Sequence, residues 1–290
     1  MAKATLRPIT PAHSRAEPIH RLFHQRLVEP ADGRYPGGRL ARFYLGRRFD
    51  LPSLGTVAWE DIAHLRPVIK STEHRRSLAD CFAAAHRRLA PDRLADAGGI
   101  VAHGDAHNAN VWYERRRTGG RLTLFDPAFA GDAVPALQAE VKATFHNIFA
   151  HPFWLYDPQI TAQRHMAQVS IDGPRLRFDT DWTPNALRRA LLGVKRDSFW
   201  TPWIGHLAAR GLLPPDREDV VRLGMFLSPT LVMNLRADRT AAPGTCRHNP
   251  VSSAIGLSVA LAIGSRPVEG QDLTTGFFDI ISPGDGDVVG

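Results

Sequence analysis

Three oxygen-bearing side chains near the middle of the chain, Asp105, Asn110 and Asp126, have the types and spacing for phosphoryl transfer. That reaction needs a carboxylate to hold and deprotonate the attacking hydroxyl group, and oxygen ligands for the magnesium ions that bridge the phosphates. Asp105 can be the base. Asn110 can offer an amide oxygen and Asp126 a carboxylate, which are the hard donors that magnesium prefers.

The residues around this trio predict the backbone that positions it. The apolar run 99–102 enters a polar loop, and two strand-like runs, 111–113 and 121–125, flank a polar turn. A hairpin returns its end close to its beginning. The pattern therefore predicts that Asp126 comes back beside Asn110.

The sequence from His103 to Asn110 reads His-Gly-Asp-Ala-His-Asn-Ala-Asn, and an Asp follows after a strand. This pattern resembles the aminoglycoside phosphotransferase and choline kinase family, a divergent branch of the protein-kinase fold. The resemblance is close over residues 99–132, the catalytic loop, and loose elsewhere. It implies that Asp105 is the catalytic base and that Asn110 and Asp126 are magnesium ligands.

The resemblance also implies supporting roles for two histidines, since His103 would brace the catalytic loop and His107 would shape it. The family's continuation after Gly131-Asp132 is incomplete, because Ala136 stands where a second acid is usual. The implied cofactors are ATP and Mg²⁺, and the implied partner is a small-molecule hydroxyl acceptor. No residue is assigned to the nucleotide base or its phosphates.

The whole chain predicts an α+β, mostly helical protein that resembles the large, C-terminal lobe of a kinase-like phosphotransferase with a short catalytic hairpin. Residues 66–290 would form this lobe, and residues 1–65 an N-terminal tail, linker helix and loop, a remnant of the hinge region. No stretch before residue 66 supplies the strands, phosphate-covering loop and lysine of an ATP-binding small lobe. A catalytically incomplete relic that serves as a binding or interaction protein is therefore the alternative function.

Local patterns add further expectations along the chain. Residues 1–17 are expected to be poorly ordered, and the glycine-rich residues 30–40 to form an ordinary loop. Lys70 imitates the kinase strand lysine, but too few residues separate it from Asp105 for the kinase elements between them. Helices are expected from Pro18, from residue 71 or 72 to 90, and over residues 133–170, 183–212, 215–236 and 252–263.

Two histidine patterns leave other interpretations open. His103, Asp105 and His107 alternate along the chain and could form a transition-metal cluster, although zinc would need a further ligand. His20 and His24 lie one helical turn apart and could be a metal pair or solvated helix residues. The polar residues of the catalytic loop could also simply cap turns.

The composition is that of an ordinary globular protein, with 43% hydrophobic and 22% charged residues and a net charge of +7. The arginines are scattered apart from residues 115–117, and no aromatic residues interleave with them, which argues against a nucleic-acid partner. No apolar stretch reaches the length of a membrane span, and the two cysteines, Cys81 and Cys246, fit a reducing cytoplasm. We therefore expect a cytoplasmic protein with neither a membrane nor a nucleic-acid partner, of unknown oligomeric state.

Overall fold

The computed structural model describes residues 2–150, 152–241 and 246–281 of the 290-residue chain. Helices and strands alternate irregularly and helical residues outnumber strand residues, which confirms the α+β class. The α-helices are α1 (Ala2–Thr5), α2 (Pro11–Ala16), α3 (Gly38–Phe43), α4 (Trp59–Ile62), α5 (Leu78–Arg88), α6 (Val141–Thr144), α7 (Pro152–Tyr156), α8 (Pro158–Arg164), α9 (Ala186–Lys195), α10 (Thr201–Ala208), α11 (Arg217–Val232), α12 (Pro250–Gly264) and α13 (Leu273–Ile281). Narrow 3₁₀ turns cover Pro18–Arg21, His24–Arg26, Pro91–Ala97 and Asn108–Asn110, and wide π turns cover Phe145–Phe149 and Arg196–Trp200.

The strands form four small sheets in the part of the chain that the structure describes. They are β1 (Arg48–Leu51), β2 (Gly55–Ala58), β3 (Arg66–Ile69), β4 (Thr72–Glu73), β5 (Gly99–Ala102), β6 (Val111–Arg116), β7 (Gly119–Leu124), β8 (Gly131–Pro135), β9 (Ala167–Asp172) and β10 (Arg175–Thr180). Strands β1 and β2 pair as a hairpin, as do β6 and β7, while β5 pairs with β8 and the largest sheet has the order β4-β3-β10-β9. The pair β5-β8 and the hairpin β6-β7 carry the candidate site.

The core is built around α12, whose residues are apolar on every side and almost all buried. This helix packs against α11, α5 and the strands of the largest sheet. An Asn249 side chain accepts the N–H of Ser252 and caps its first turn. One hydrophobic cluster runs from Leu6 near the start of the chain to Ile281 at the end of α13. The predicted division between residues 65 and 66 stays a prediction.

The expectation of a poorly ordered N-terminal segment was wrong for the residues that the structure describes. Arg7 and Gly99 exchange two backbone hydrogen bonds of 3.1 and 2.9 Å, which add the segment to the edge of β5. The next residues form two 3₁₀ turns instead of the α-helix expected from Pro18. These turns bury Ile19 and Leu22 in the core, so the segment is held by apolar burial.

Several helix boundaries were also predicted wrongly. Residues 133–170 are not one helix, because prolines at 152 and 158 begin new helices and the ends of the range pair as strands β8 and β9. The helix expected from residue 71 or 72 begins at Leu78, after β4, since Ser77 caps it and accepts the N–H of Asp80. The range 183–212 is interrupted by a wide turn between α9 and α10. The helices predicted over 215–236 and 252–263 are confirmed as α11 and α12.

His20 and His24 are neither a metal pair nor solvated. His20 is buried and its Nε2 donates to the backbone oxygen of Ser14 at 2.7 Å. The ring of His24 stacks on that of His86, with 5.3 Å between centroids. Both rings are therefore packed in the fold, where the neutral form of the imidazole is favoured.

Burial of histidines predicts that the free energy of unfolding falls in mild acid. Burial lowers the pKa of His24 and of His248 from 6.5 to about 4. Between these values the unfolded chain binds more protons than the folded one, so stability rises with pH and is lost as pH falls from 6.5 towards 4. Each histidine contributes up to about 1.4 kcal/mol per pH unit within this window.

Urea unfolding at pH 7, 6 and 5 measures this dependence. His24→Gln removes one of these titrations and should reduce the slope between pH 6 and 5. A free energy of unfolding that stays constant from pH 7 to 5 contradicts the prediction.

Within the described ranges, no helix combines the length and the apolar character that a bilayer crossing requires.

Candidate active site

Strand β5 delivers the chain into the catalytic loop, and His103 fixes the first turn of that loop. Its Nε2 donates to the backbone oxygen of Phe125 at 2.9 Å, and its Nδ1 accepts the N–H of Asp105 at 3.3 Å. The histidine thus ties the start of the loop to the end of the hairpin. Gly104 has φ +74°, and a Cβ there would lie 2.6 Å from the oxygen of Phe129.

Asp105 is 3% exposed, and only one of its two carboxylate oxygens accepts a hydrogen bond. Its Oδ2 accepts a short hydrogen bond of 2.5 Å from Nζ of Lys142. Its Oδ1 is buried and receives no hydrogen bond, although Nε2 of His107 lies 3.4 Å away. A buried carboxylate oxygen without a donor is costly unless another group completes it, so this atom is available for a substrate or an ion.

The structure brings Asn110 next to Asp105. The Asn110 side chain is buried and its Nδ2 donates to the backbone oxygen of Asp105 at 3.0 Å. The amide oxygen of the same group therefore faces away from that carbonyl. The backbone oxygen of Asn110 accepts the N–H of Phe125 at 3.2 Å, so the hairpin ends beside its beginning.

Asp126 directly follows this junction and is exposed. Its φ of +57° is a left-handed conformation, which Asp and Asn adopt more readily than most residues and which is common at functional sites. Burial lowers the pKa of Lys142, and the Asp105 and Asp126 carboxylates oppose that shift. The two acids thus act on the same lysine.

One helical segment, residues 141–149, lies along the catalytic loop and contacts it at three places. Lys142 binds Asp105, the ring of His146 stacks on His107 with 4.9 Å between centroids, and Oδ1 of Asn147 accepts the N–H of Asn108 at 2.8 Å. The apolar residues of the same segment face the core, as predicted: Val141, Phe145, Ile148 and Phe149. The segment therefore couples the loop to the core.

Burial and charge together set the protonation of this cluster. Burial lowers the pKa of Lys142, while Asp105 opposes that shift. Burial likewise lowers the pKa of His107 and holds that of His146 well below its ordinary value. Nδ1 of His146 lies 2.8 Å from the hydroxyl of Tyr156. At neutral pH the two histidines are uncharged, so Lys142 supplies the positive charge beside Asp105.

Glu17 braces the chain after Asp126. Its Oε1 accepts the N–H of Ala133 at 2.9 Å, and its buried Oε2 lies where a Cβ on Gly131 would stand. Burial raises the pKa of Glu17. A carboxyl group from the N-terminal segment thus fixes the start of β8.

Sequence reasoning missed Lys142, Asn147 and Glu17. The signal for Lys142 was present, since it is one of four lysines in an arginine-rich chain and stands in an apolar helical stretch. A lysine in such a place is rarely buried without a partner. Glu17 and Asn147 carried no comparable signal, because their contacts depend on how distant segments pack.

The oxygen donors of the site suit a magnesium ion better than a transition metal. Both ring nitrogens of His103 are used within the loop, and the described residues contain no group of three His, Cys, Asp or Glu side chains that could hold a metal ion. The transition-metal interpretation is therefore wrong for this loop. Magnesium is bound by one or two carboxylates together with phosphate oxygens. The amide oxygen of Asn110 and the Asp126 carboxylate are donors of that kind, and they leave Oδ1 of Asp105 free of the metal.

Comparison of the chain with protein-family models, with curated proteins and with solved structures gives no match.

Proposed function

We propose that the protein is an ATP- and Mg²⁺-dependent phosphotransferase that acts on a hydroxyl group of a small molecule, built on the large lobe of a kinase-like fold. The observation that carries this proposal is the state of Asp105. Its carboxylate is buried, oriented by Lys142 through one oxygen, and without a hydrogen-bond donor on the other. The geometry is that of a base prepared to accept a proton from a bound hydroxyl.

Each residue of the loop has a defined task in this proposal. Asp105 holds the acceptor hydroxyl through Oδ1 and takes its proton as the oxygen attacks the terminal phosphorus of ATP. The bond from that phosphorus to the bridging oxygen breaks, and ADP leaves with the electron pair. Lys142 keeps the carboxylate oriented, and His107 flanks the oxygen that reacts. Transfer depends mainly on positioning and charge, so a rigid, buried base is what the chemistry requires.

Asn110 and Asp126 would hold magnesium. When bound, the ion neutralises charge on the phosphates. Asn110 is fixed by its bond to the backbone oxygen of Asp105, so a metal ligand and the base belong to the same turn. Asp126, in contrast, is exposed and can reach a ligand that arrives from solvent.

Asp126→Ala should therefore weaken the binding of magnesium-nucleotide while leaving the fold intact. Ligand at about 100 times its dissociation constant stabilises a protein by roughly 2.7 kcal/mol. Thermal unfolding with and without magnesium-ATP should show this stabilisation in the wild-type chain and lose most of it in the variant. Asp172→Ala is the matched control, since Asp172 is an exposed acid of the largest sheet.

The contrary result is an equal stabilisation of the wild type and Asp126→Ala. A stabilisation by ATP that does not depend on magnesium would also contradict the assignment of Asp126 as a metal ligand.

The alternative is a binding protein that keeps the fold without transfer. One observation favours it: in residues 2–65, as described, the regular strands are only the hairpin β1-β2, not the sheet of a small lobe. Incubation of the pure chain with ATP and a panel of hydroxyl compounds separates the two. Magnesium-dependent nucleotide binding with no transfer and no hydrolysis would favour the binding protein.

A further inference from the structure

A cleft of about 630 Å³ lies between the N-terminal segment and the residues that follow Asp126. Its lining is dominated by arginines from the turns at 18–26 and from α3: Arg21, Arg26, Arg39 and Arg42. Ala128 and Phe129 form the opposite wall. The cleft therefore concentrates cationic side chains next to the catalytic loop.

These four arginines have no carboxylate within ion-pair distance among the described residues. Arg39 Nη1 donates to the backbone oxygens of Leu231 and Val232 at 2.9 and 3.1 Å, and Arg26 Nη1 to that of Leu231 at 3.3 Å. The carbonyls at the end of α11 thus hold two guanidinium groups in place. Glu29 also lines the cleft, and its Oε1 accepts the N–H of Gly38 at 3.3 Å.

The crowded arginines Arg26 and Arg39 have lowered pKa values. Burial and the charge of Arg39 lower the pKa of Arg26 to about 10, and burial and Arg42 lower that of Arg39. The ion-paired Arg266 shows the opposite shift, because its hydrogen bond to Glu218 raises its pKa. A bound anion would remove the mutual repulsion in the cleft.

Phe129 and Arg26 connect the cleft to the candidate active site. Phe129 lines it, and Nζ of Lys142 lies 5.7 Å from the centre of the Phe129 ring. Arg26 is close enough to the site that its charge adds to the effect of burial in lowering the pKa of Lys142, and Asp105 partly opposes the lowering of the pKa of Arg26. A phosphate chain in the cleft would therefore end near Asp105.

We propose that this arginine cleft binds the phosphate chain of the nucleoside triphosphate, a task for which the sequence offered no residue. The inference rests on the proposed function, because it identifies the phosphate chain as that of the phosphoryl donor. Guanidinium groups match phosphate oxygens with paired, charge-assisted hydrogen bonds. The glycine-rich stretch at 30–40 forms part of the wall of the cleft, since Pro30 and Gly38 line it.

Titration calorimetry with inorganic tripolyphosphate, in buffer without magnesium, tests the cleft separately from the metal ligands. The double variant Arg21→Gln/Arg42→Gln removes the two exposed arginines and spares those that hold the end of α11. We expect tripolyphosphate to bind more tightly than orthophosphate, to weaken with added salt, and to bind the double variant at least about tenfold more weakly. Arg189→Gln, an exposed arginine of α9, is the control and should bind like the wild type.

Two results would overturn the cleft: no binding by the wild type, or equal binding by the wild type and the double variant. Transfer assays then keep the two proposals apart. If tripolyphosphate binding depends on the arginines but no transfer is found, the cleft is a phosphate site and the proposed phosphotransferase activity is wrong. If the double variant transfers phosphate from ATP with an unchanged KM, the activity is supported and the proposed role of the cleft is wrong.

Discussion

Asp105→Asn abolishes transfer to the acceptor, on the proposed mechanism, but leaves nucleotide binding intact. The amide keeps the shape of the side chain and loses the ability to take a proton, which costs roughly 10²- to 10⁴-fold in rate for a general base. Turnover of a hydroxyl acceptor and nucleotide affinity, measured on the same preparation, give the two halves of the prediction.

The matched control for this substitution is Asp132→Asn, which changes an exposed acid six residues after Asp126. It should retain wild-type turnover. Full turnover by Asp105→Asn, in contrast, would show that Asp105 is not the base and that the proposed mechanism is wrong.

Lys142→Met should destabilise the protein by about 3–5 kcal/mol, because it leaves the Asp105 carboxylate buried and without its charged partner. Both side chains are at most 8% exposed, so solvent screens the pair little. Urea unfolding measures the loss directly. Because the lysine orients the base, turnover should fall as well in whatever fraction stays folded.

A second lysine provides the comparison. Lys195 and Glu140 are also 2.5 Å apart, but their side chains are 24% and 25% exposed. Lys195→Met should therefore cost about 1 kcal/mol or less, as for a partly solvated pair. The double variant Asp105→Asn/Lys142→Met removes both buried charges and should recover a large part of the loss. A cost near 1 kcal/mol for Lys142→Met would contradict the assignment of a strongly coupled buried pair.

The elements that could be predicted from the sequence are those determined by residues close together in the chain. The hairpin β6-β7 and the return of Phe125 to Asn110 followed from a strand-turn-strand pattern, because a hairpin is determined by residues close in the chain. The turn was predicted too long, since the strands extend to Arg116 and from Gly119. The apolar helix α12 was equally predictable, since its length and its caps are local. The hairpin lies between Asn110 and Asp126 and brings its two ends together.

What the sequence did not reveal depends on contacts between distant segments. The partner of Asp105 is 37 residues away, and the brace on Ala133 comes from Glu17, 116 residues earlier. Residues 1–17 were expected to be poorly ordered from their prolines and polar side chains, but pairing of Arg7 with β5 outweighs that composition. Periodicity reports which face of an element is buried, and not which element covers it.

The wide turn Phe145–Phe149 follows the one-turn helix α6. The number of residues in this turn decides which side chains face the catalytic loop. Lys142, His146 and Asn147 all meet the catalytic loop from this segment, while the residues between them fill the core. Removing a single residue inside the turn would convert it to ordinary helix and rotate everything beyond it by about 100°. Lys142 would keep its position, but His146 and Asn147 would turn away from the loop. A deletion in this turn would thus break two contacts with the loop at once, whereas a substitution of His146 or Asn147 would break one.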